Sequence, residues 1–213
     1  MPYFKKNGLE VSQGNSKIGA DTLIFNMGSA NSCPSKARGF CKLGAKCYAR
    51  KPESIYPDCL PYRDRQEIYW LNHSAKEIAN ALSDIILKRN LKKRVISYVR
   101  FNESGDFWSQ ECVNKLARVA AYVRAETGVF IYGYTARKDL NFGDIVSFSV
   151  KGSGHTAGNN GEAIARPKKD LADLAHKGTY EEKGKKYTVC LADCSACNYC
   201  KKQDGRNIVF PIH

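Results

Sequence analysis

Acidic residues are scarce in this chain: 21 Asp and Glu stand against 34 Lys and Arg in 213 residues, a formal net charge of +13. A surface of that sign attracts polyanions, nucleic acid foremost, although charge alone carries no sequence specificity. Long apolar runs are lacking, so no segment reads as a membrane span and no membrane partner is expected. The opening Met-Pro-Tyr-Phe-Lys-Lys-Asn-Gly has no apolar stretch of the kind a secretory leader carries. These absences point to a soluble, cytoplasmic protein. There is no Gly-x-Ser-x-Gly elbow and no His-Glu-x-x-His pair, so nothing supports a hydrolase. The run Lys151-Gly-Ser-Gly-His155 lacks the Gly-Lys-Ser/Thr ending of a phosphate-binding loop. Internal repeats, heptads and disordered linkers are missing too. With 43% hydrophobic residues, 1–213 reads as a single globular domain.

What the chain does have is cysteine. Nine are present, an odd number that fits complete pairing poorly, and a reducing compartment disfavours disulfides. Four fall within eleven residues: Cys190, Cys194, Cys197 and Cys200, spaced C-x3-C-x2-C-x2-C. Packing rarely needs four thiols so close together, whereas a soft metal does, with sulfur about 2.3 Å from a zinc. Zinc commonly takes two separated knuckles, and no long spacer divides this group. A larger [4Fe–4S] cluster relaxes that constraint, so an iron–sulfur centre is the preferred reading and zinc the alternative. A second group, Cys33, Cys41 and Cys47, is spaced C-x7-C-x5-C, with Cys59 following. Lys36, Arg38, Lys42, Lys46, Arg50 and Lys51 accompany it, and no acid lies between Cys33 and Lys51. Positive charge there would lower thiol pKa values and offset a thiolate cluster, or else belongs to a nucleic-acid face. Each group could hold its own centre, or both could converge on one. Cys112, on the apolar side of a predicted helix, reads as a core residue.

The organisation between the two groups is α/β. A short strand is expected at Thr22-Leu23-Ile24-Phe25. Helix follows over 64–90, in two pieces, with Ser74 and Glu77 forming a capping box. Strands are expected over 95–101, 129–135 and 145–150, with a helix capped by Ser109 between the first two. The segment Ala163-Ile164-Ala165 leads into a short helix begun near Pro167 and ended near Gly178. Strands over 187–191 and 207–210 complete the pattern. The expected fold is compact, with a mainly parallel sheet and a partial (β/α) barrel as its candidate form. Cys-rich metal-binding segments, 33–59 and 190–200, stand at both ends.

Sites in such folds gather at the C-terminal ends of strands. Three ends carry polar residues here: Asn102, Glu103, Ser104 and Asp106; then Thr135, Arg137 and Lys138; then Lys151, Ser153 and His155. Glu103, Asp106 and His155 are the candidate catalytic groups, and Asn102, Glu103 and Lys151 the candidate cofactor contacts. The plain alternatives are that Ser104 and Asp106 cap the next helix and that Arg137 and Lys138 form a solvated turn. The terminal His213 is a weak candidate ligand.

Several motifs, taken together, resemble the phage "gene product eighty-eight" family of Cys-rich proteins. They are Gly14-Asn-Ser-Lys-Ile-Gly19, Ile24-Phe25-Asn26, Ser32-Cys33-Pro34, Cys47-Tyr48-Ala49, Arg100-Phe-Asn-Glu-Ser-Gly-Asp-Phe107, the clustered C-terminal cysteines and Phe210-Pro211-Ile212-His213. The resemblance implies a phage origin and expression in the host bacterial cytoplasm. A more remote likeness is to radical-SAM enzymes, with three early cysteines and a polar turn, Asn102 to Asp106, after a strand. That likeness implies S-adenosylmethionine as a cofactor and radical chemistry. The chain departs from it in its C-x7-C-x5-C spacing, in lacking a Gly-Gly-Glu turn, and in length. Three functional classes therefore stand: an iron–sulfur redox or radical-type enzyme, a nucleic-acid-binding protein with a structural metal, and a phage effector that grips a host protein.

Overall fold

The computed structural model describes residues 3–15, 17–43, 47–143, 145–191 and 197–212. Lys46, Cys194 and His213 lie outside them. Within these residues ten strands form one mixed sheet in the order β1-β2-β3-β4-β5-β6-β7-β10-β9-β8. The strands are β1 Tyr3–Lys6, β2 Leu9–Gln13, β3 Thr22–Phe25, β4 Tyr98–Phe101, β5 Phe130–Thr135, β6 Phe148–Ser153, β7 Glu162–Arg166, β8 Thr179–Glu182, β9 Lys185–Val189 and β10 Ile208–Pro211. From β3 through β7 and β10 to β9 every pairing is parallel. Antiparallel hairpins, β1–β2 and β8–β9, close the two edges. The helices are α1 Pro34–Ala37, α2 Arg50–Ile55, α3 Cys59–Asn72, α4 Ala75–Leu91 and α5 Gln110–Thr127. The three short helical pieces α1, α2 and the start of α3 occupy the first cysteine segment between β3 and β4.

The register sorts the central strands into two faces. Leu23, Val99, Ile131 and Phe148 align across β3 to β6, as do Phe25, Phe101, Gly133 and Val150. The large residues of these rows are fully buried against Trp70, the apolar stripe of α4 (Ile78, Leu82, Ile85, Ile86) and that of α5 (Val113, Leu116, Val119, Val123). Cys112 is half-buried and packs at the margin of this core. A side chain on Gly133 would place its Cβ 2.8 Å from the Phe101 carbonyl oxygen, so the row needs glycine there.

The alternate residues form the second face: Ile24, Arg100, Tyr132 and Ser149 in one row, Tyr134 and Lys151 in another. A parallel strand covered on both sides is usually apolar on both. Here the second face is polar and phenolic, yet it is covered. The turn Tyr199–Lys201 and the residues after it lie over it. Ser149 Oγ donates to the Lys202 carbonyl at 3.0 Å and Lys151 Nζ to the same oxygen at 3.3 Å. Lys201 Nζ sits 3.7 Å from the centre of the Tyr98 ring. Gln203 Nε2 donates to the Ile145 carbonyl at 2.8 Å.

The sequence reading has no counterpart for β1, β2, β8, α1 and α2, and three segments that it did assign are changed. The strand expected at 145–150 is displaced to Phe148–Ser153; Ile145 instead packs against the core from the preceding connection. Ala163-Ile164-Ala165 lies within β7, paired between β6 and β10. The helix expected after Pro167 is one 3-10 turn, Lys168–Leu171, in which Leu171 alone is buried.

Candidate functional site

The loops following β3 and β4 are locked to each other at the strand ends. Asn26 Oδ1 accepts from the Ser104 backbone N–H at 2.9 Å, and Asn102 Oδ1 accepts from the Met27 N–H at 3.0 Å. Asn26 Nδ2 in turn donates to Gln66 on α3 at 2.9 Å. Gly105, with φ +76°, brings the second loop so close that a Cβ there would sit 2.9 Å from the Gly28 backbone. Asn102 itself adopts φ +59°, a left-handed conformation that asparagine tolerates better than most residues. Its Nδ2 is buried without a partner among the described residues.

Two carboxylates organise this rim. Asp106 is buried and accepts four hydrogen bonds: Ser35 Oγ at 2.5 Å, Thr135 Oγ1 at 2.7 Å, and the Ala136 and Phe107 N–H groups at 2.8 Å each. Those donors come from the first cysteine segment, β5 and its own loop. Glu53 Oε1 accepts from the Ala30 N–H at 2.8 Å and from Arg63 Nη1 at 2.7 Å, an ion pair whose partners are both buried. Glu103 accepts from Asn15 Nδ2 at 2.6 Å and lies 3.7 Å from Arg63. The Tyr48 hydroxyl donates to the Glu103 carbonyl at 2.9 Å. Arg137 is a clip rather than a solvated turn: it is buried, pairs with Asp139 at 2.8 Å through both nitrogens, and donates to the Phe107 and Trp108 carbonyls. Lys138 and Ser153 are exposed. His155 is half-buried near Asp106, and burial pushes its imidazole below the ordinary value.

The first cysteine group lies over this rim. Cys33 precedes α1, and burial pushes its thiol up to about 11; the Ser35 and Lys36 N–H groups oppose that shift while Asp106 and Cys41 add to it. Cys33 is thus near both Cys41 and Asp106. Cys47 immediately precedes Tyr48, and Cys59 opens α3, where burial raises its pKa.

The second group sits against the polar face of the sheet. Cys190 follows β9, and together with Cys197 and Cys200 it lines a cavity of about 10 Å³, walled also by Val189, Tyr199 and Ile208. Cys200 lies close to Tyr134; burial first, and Cys200 next, push the Tyr134 phenol well above its ordinary value. The Arg100 guanidinium lies 4.4 Å from the Tyr134 ring centre, and its Nε is buried with no partner among the described residues. Burial works against the Arg100 charge, but Tyr132, Tyr48, Tyr134 and Cys200 around it hold its proton more tightly than usual. Lys151 is fully buried beside this group, 3.7 Å from Asp204, and burial lowers its pKa.

The sequence candidates thus divide. Glu103, Asp106 and His155 fall at the strand-end rim with Cys33 and Cys41, whereas Lys151 belongs with Cys190, Cys197 and Cys200. Arg100 joins the two regions, because both Tyr48 and Cys200 act on it. Arg100, Tyr134, Lys201 and the Glu53–Arg63 pair escaped the sequence reading. For Arg100 and Tyr134 the signal was the alternation Tyr98-x-Arg100, Tyr132-x-Tyr134 and Ser149-x-Lys151 with apolar residues between; Lys201 and the Glu53–Arg63 pair lie off these strands and carried no such signal. Among the described residues no three His, Cys, Asp or Glu side chains stand grouped as the ligands of one ion. What fits a metal is the donor chemistry: three thiols on one cavity, with Cys194 between them in sequence.

Among these residues no helix is long and apolar enough to cross a membrane. No curated protein and no solved structure matches the chain. The gene product 88 family matches residues 5–153, which takes in the first cysteine group, the interlocked loops, Arg100, Asp106 and β6, and stops before the second cysteine group. With most of its length matched, the chain belongs to the gene product 88 family.

Proposed function

We propose that this is a phage-encoded iron–sulfur protein, its cluster held by Cys190, Cys197 and Cys200 with Cys194 as the fourth thiol, working in redox or radical chemistry. The observation that carries the reading is the placement of three C-terminal thiols on one cavity beside Arg100 and Tyr134. A cluster bound there would supply one-electron transfer. The chain's own groups suit such a centre. Tyr134 lies close to Cys200, and Arg100 and Lys151 supply positive charge to offset thiolates. The six successive parallel pairings, with helices on one face and a polar second face, favour a partial (β/α) barrel whose lumen is that polar face. In this reading Cys33, Cys41 and Cys47 hold a second centre over the strand-end rim, and Asn102 and Glu103 are the contacts for S-adenosylmethionine, while Lys151 stays with the C-terminal thiols. The unpartnered Asn102 Nδ2 is the donor available for a ligand there.

A single structural zinc is the competing reading, because four thiols are a common structural ligand set for that ion. Anaerobic purification separates the two. The iron–sulfur reading predicts a brown protein with equal iron and inorganic sulfide, both falling by about half in Cys197→Ser, which leaves the second centre in place. A colourless protein holding one zinc per chain would replace it by the second reading. Cleavage of S-adenosylmethionine by the reduced protein tests the radical assignment separately, and failure to bind it removes that assignment alone.

A further inference from the structure

We infer that the outward surface of α2 and its flanks is a docking site for single-stranded nucleic acid, with Tyr48 and Tyr56 as stacking platforms and Arg50 and Lys51 as phosphate contacts. The inference stands independently of which metal the protein holds. Across the nine residues from Tyr48 to Tyr56, what faces solvent is aromatic, aliphatic or cationic, apart from the Ser54 hydroxyl, which donates to the Lys51 carbonyl at 2.9 Å. Tyr48 is 57% exposed, Tyr56 62% and Ile55 54%, and Arg50 and Lys51 are exposed as well. The one carboxylate of the stretch, Glu53, turns inward, where its side chain is 5% exposed and paired with Arg63. The acid is therefore withdrawn from the surface while the cations stay on it. The basic run continues upstream through exposed Arg38 and Lys42. The first outward carboxylate beyond Tyr56 is Asp58.

Two exposed aromatic rings flank this six-residue helix, one on either side of it. Water solvates them poorly, and a soluble chain rarely leaves large rings so open beside one another without a partner. Tyr48 is also fixed: its hydroxyl is tied to the Glu103 carbonyl at 2.9 Å, so the ring is presented in one orientation. Tyr56 is held at the helix end by its N–H bond to the Pro52 carbonyl at 2.9 Å. Exposed rings flanked by cations are what a single strand recognises, because its bases offer unpaired faces and its phosphates a regular negative charge. A duplex hides those faces. An acidic polypeptide would use Arg50 and Lys51 but leave both rings idle.

Fluorescence anisotropy of the metal-loaded full chain with labelled oligothymidylate tests this, alongside a duplex of equal length and poly-glutamate as competitor. Binding is expected to weaken steeply between about 50 and 200 mM salt. Tyr56→Ala should weaken binding roughly tenfold at constant salt slope, with Tyr56→Trp restoring it. Arg50→Gln with Lys51→Gln should make the salt slope shallower by about 1.4, two phosphate contacts' worth for a single strand. Lys168→Gln with Lys169→Gln, an exposed pair on the β7–β8 connection, should change neither. An unchanged melting temperature and metal content in each variant establishes that losses are local. The inference is overturned by any of four results: no binding at low salt, equal loss from the Lys168 and Lys169 pair, indifference to Tyr56→Ala, or displacement by poly-glutamate as effective as by the oligonucleotide.

Discussion

Four donors from three separate segments converge on the Asp106 carboxyl, and this fixes what the residue does for the fold. As a helix cap it would have needed only its own loop, but α5 is capped by Ser109, whose Oγ accepts from the Cys112 N–H at 3.4 Å. Asp106 is thereby left to tie Ser35 of the first cysteine segment to Thr135 at the end of β5 and Ala136 just after it. In Asp106→Asn one oxygen becomes an amide that cannot accept, and a hydroxyl donor can turn away but a backbone N–H cannot. One buried N–H is left unpaired, which should cost about 1–3 kcal/mol in urea unfolding at unchanged m. The pH dependence has a definite sign. Burial, against the opposing hydrogen bonds, raises the Asp106 carboxyl above its ordinary 3.8. A folded value above the unfolded one gives a contribution that is full below the unfolded pKa and lost as pH rises through the folded one. The stability gap between the parent chain and Asp106→Asn should therefore be wider at about pH 4 than at about pH 7. The reverse order would mean that the four donors, not burial, set the carboxyl. The sequence made Asp106 conspicuous, since a polar turn after a strand is a signal in itself. It could not show Ser35 as its partner, because 71 residues separate them.

At the level of elements, the helices were legible where their own ends announce them. The break between α3 and α4 and the Ser74–Glu77 box both appear, with Glu77 N–H to Ser74 Oγ at 3.3 Å and Ser74 N–H to Glu77 Oε2 at 2.7 Å. Ser74→Ala removes one member of that reciprocal pair and Ser109→Ala a single, longer bond. Each should lower stability by about 1 kcal/mol, Ser74→Ala more than Ser109→Ala. For a chain of this size that is about 2–4 °C in melting temperature, readable by calorimetry. Equal melting temperatures for Ser74→Ala and the parent would show that tertiary packing alone holds the start of α4. The edge hairpins were harder to see, although Asn7-Gly8, at φ 50° and 84°, and Lys183-Gly184, at φ 51° and 73°, are turn pairs suited to two-residue hairpin loops. Their strands carry Lys5, Lys6, Lys185 and Lys186, the polar composition that protects a sheet edge and makes it look like loop. The displaced β6 has a different cause. Ile145 and Val146 are as β-prone as the true strand, and only pairing of Phe148 with Ile131 and of Val150 with Gly133 selects the register.

Across the whole molecule, the family match and the folded unit do not coincide, and that has a measurable consequence. Residues 5–153 contain the core beneath α4 and α5, but the polar face of β4 to β6 is completed by residues beyond them. Lys201 covers Tyr98, the Lys202 carbonyl satisfies Ser149 and Lys151, and Gln203 reaches back to Ile145. Beyond β6 the sheet continues through β7, β10 and β9, around a small cluster of Ile164, Leu171, Tyr187, Val189 and Val209. None of this closure could be read along the chain, since β7 pairs with β10 rather than with the next strand. A chain ended at Ser153 would turn β6 into a bare edge and expose Tyr132, Tyr134 and Lys151 together. Bare strand edges template association. The shortened chain should therefore bind a hydrophobic dye, aggregate, and lose the single sharp urea transition. Full-length Cys197→Ser keeps every one of the covering contacts just named, so it should retain that transition even where its metal is lost. A shortened chain that unfolds cooperatively without binding dye would instead make 5–153 the autonomous unit, and would reduce the C-terminal cysteine segment to an addition laid over a finished fold.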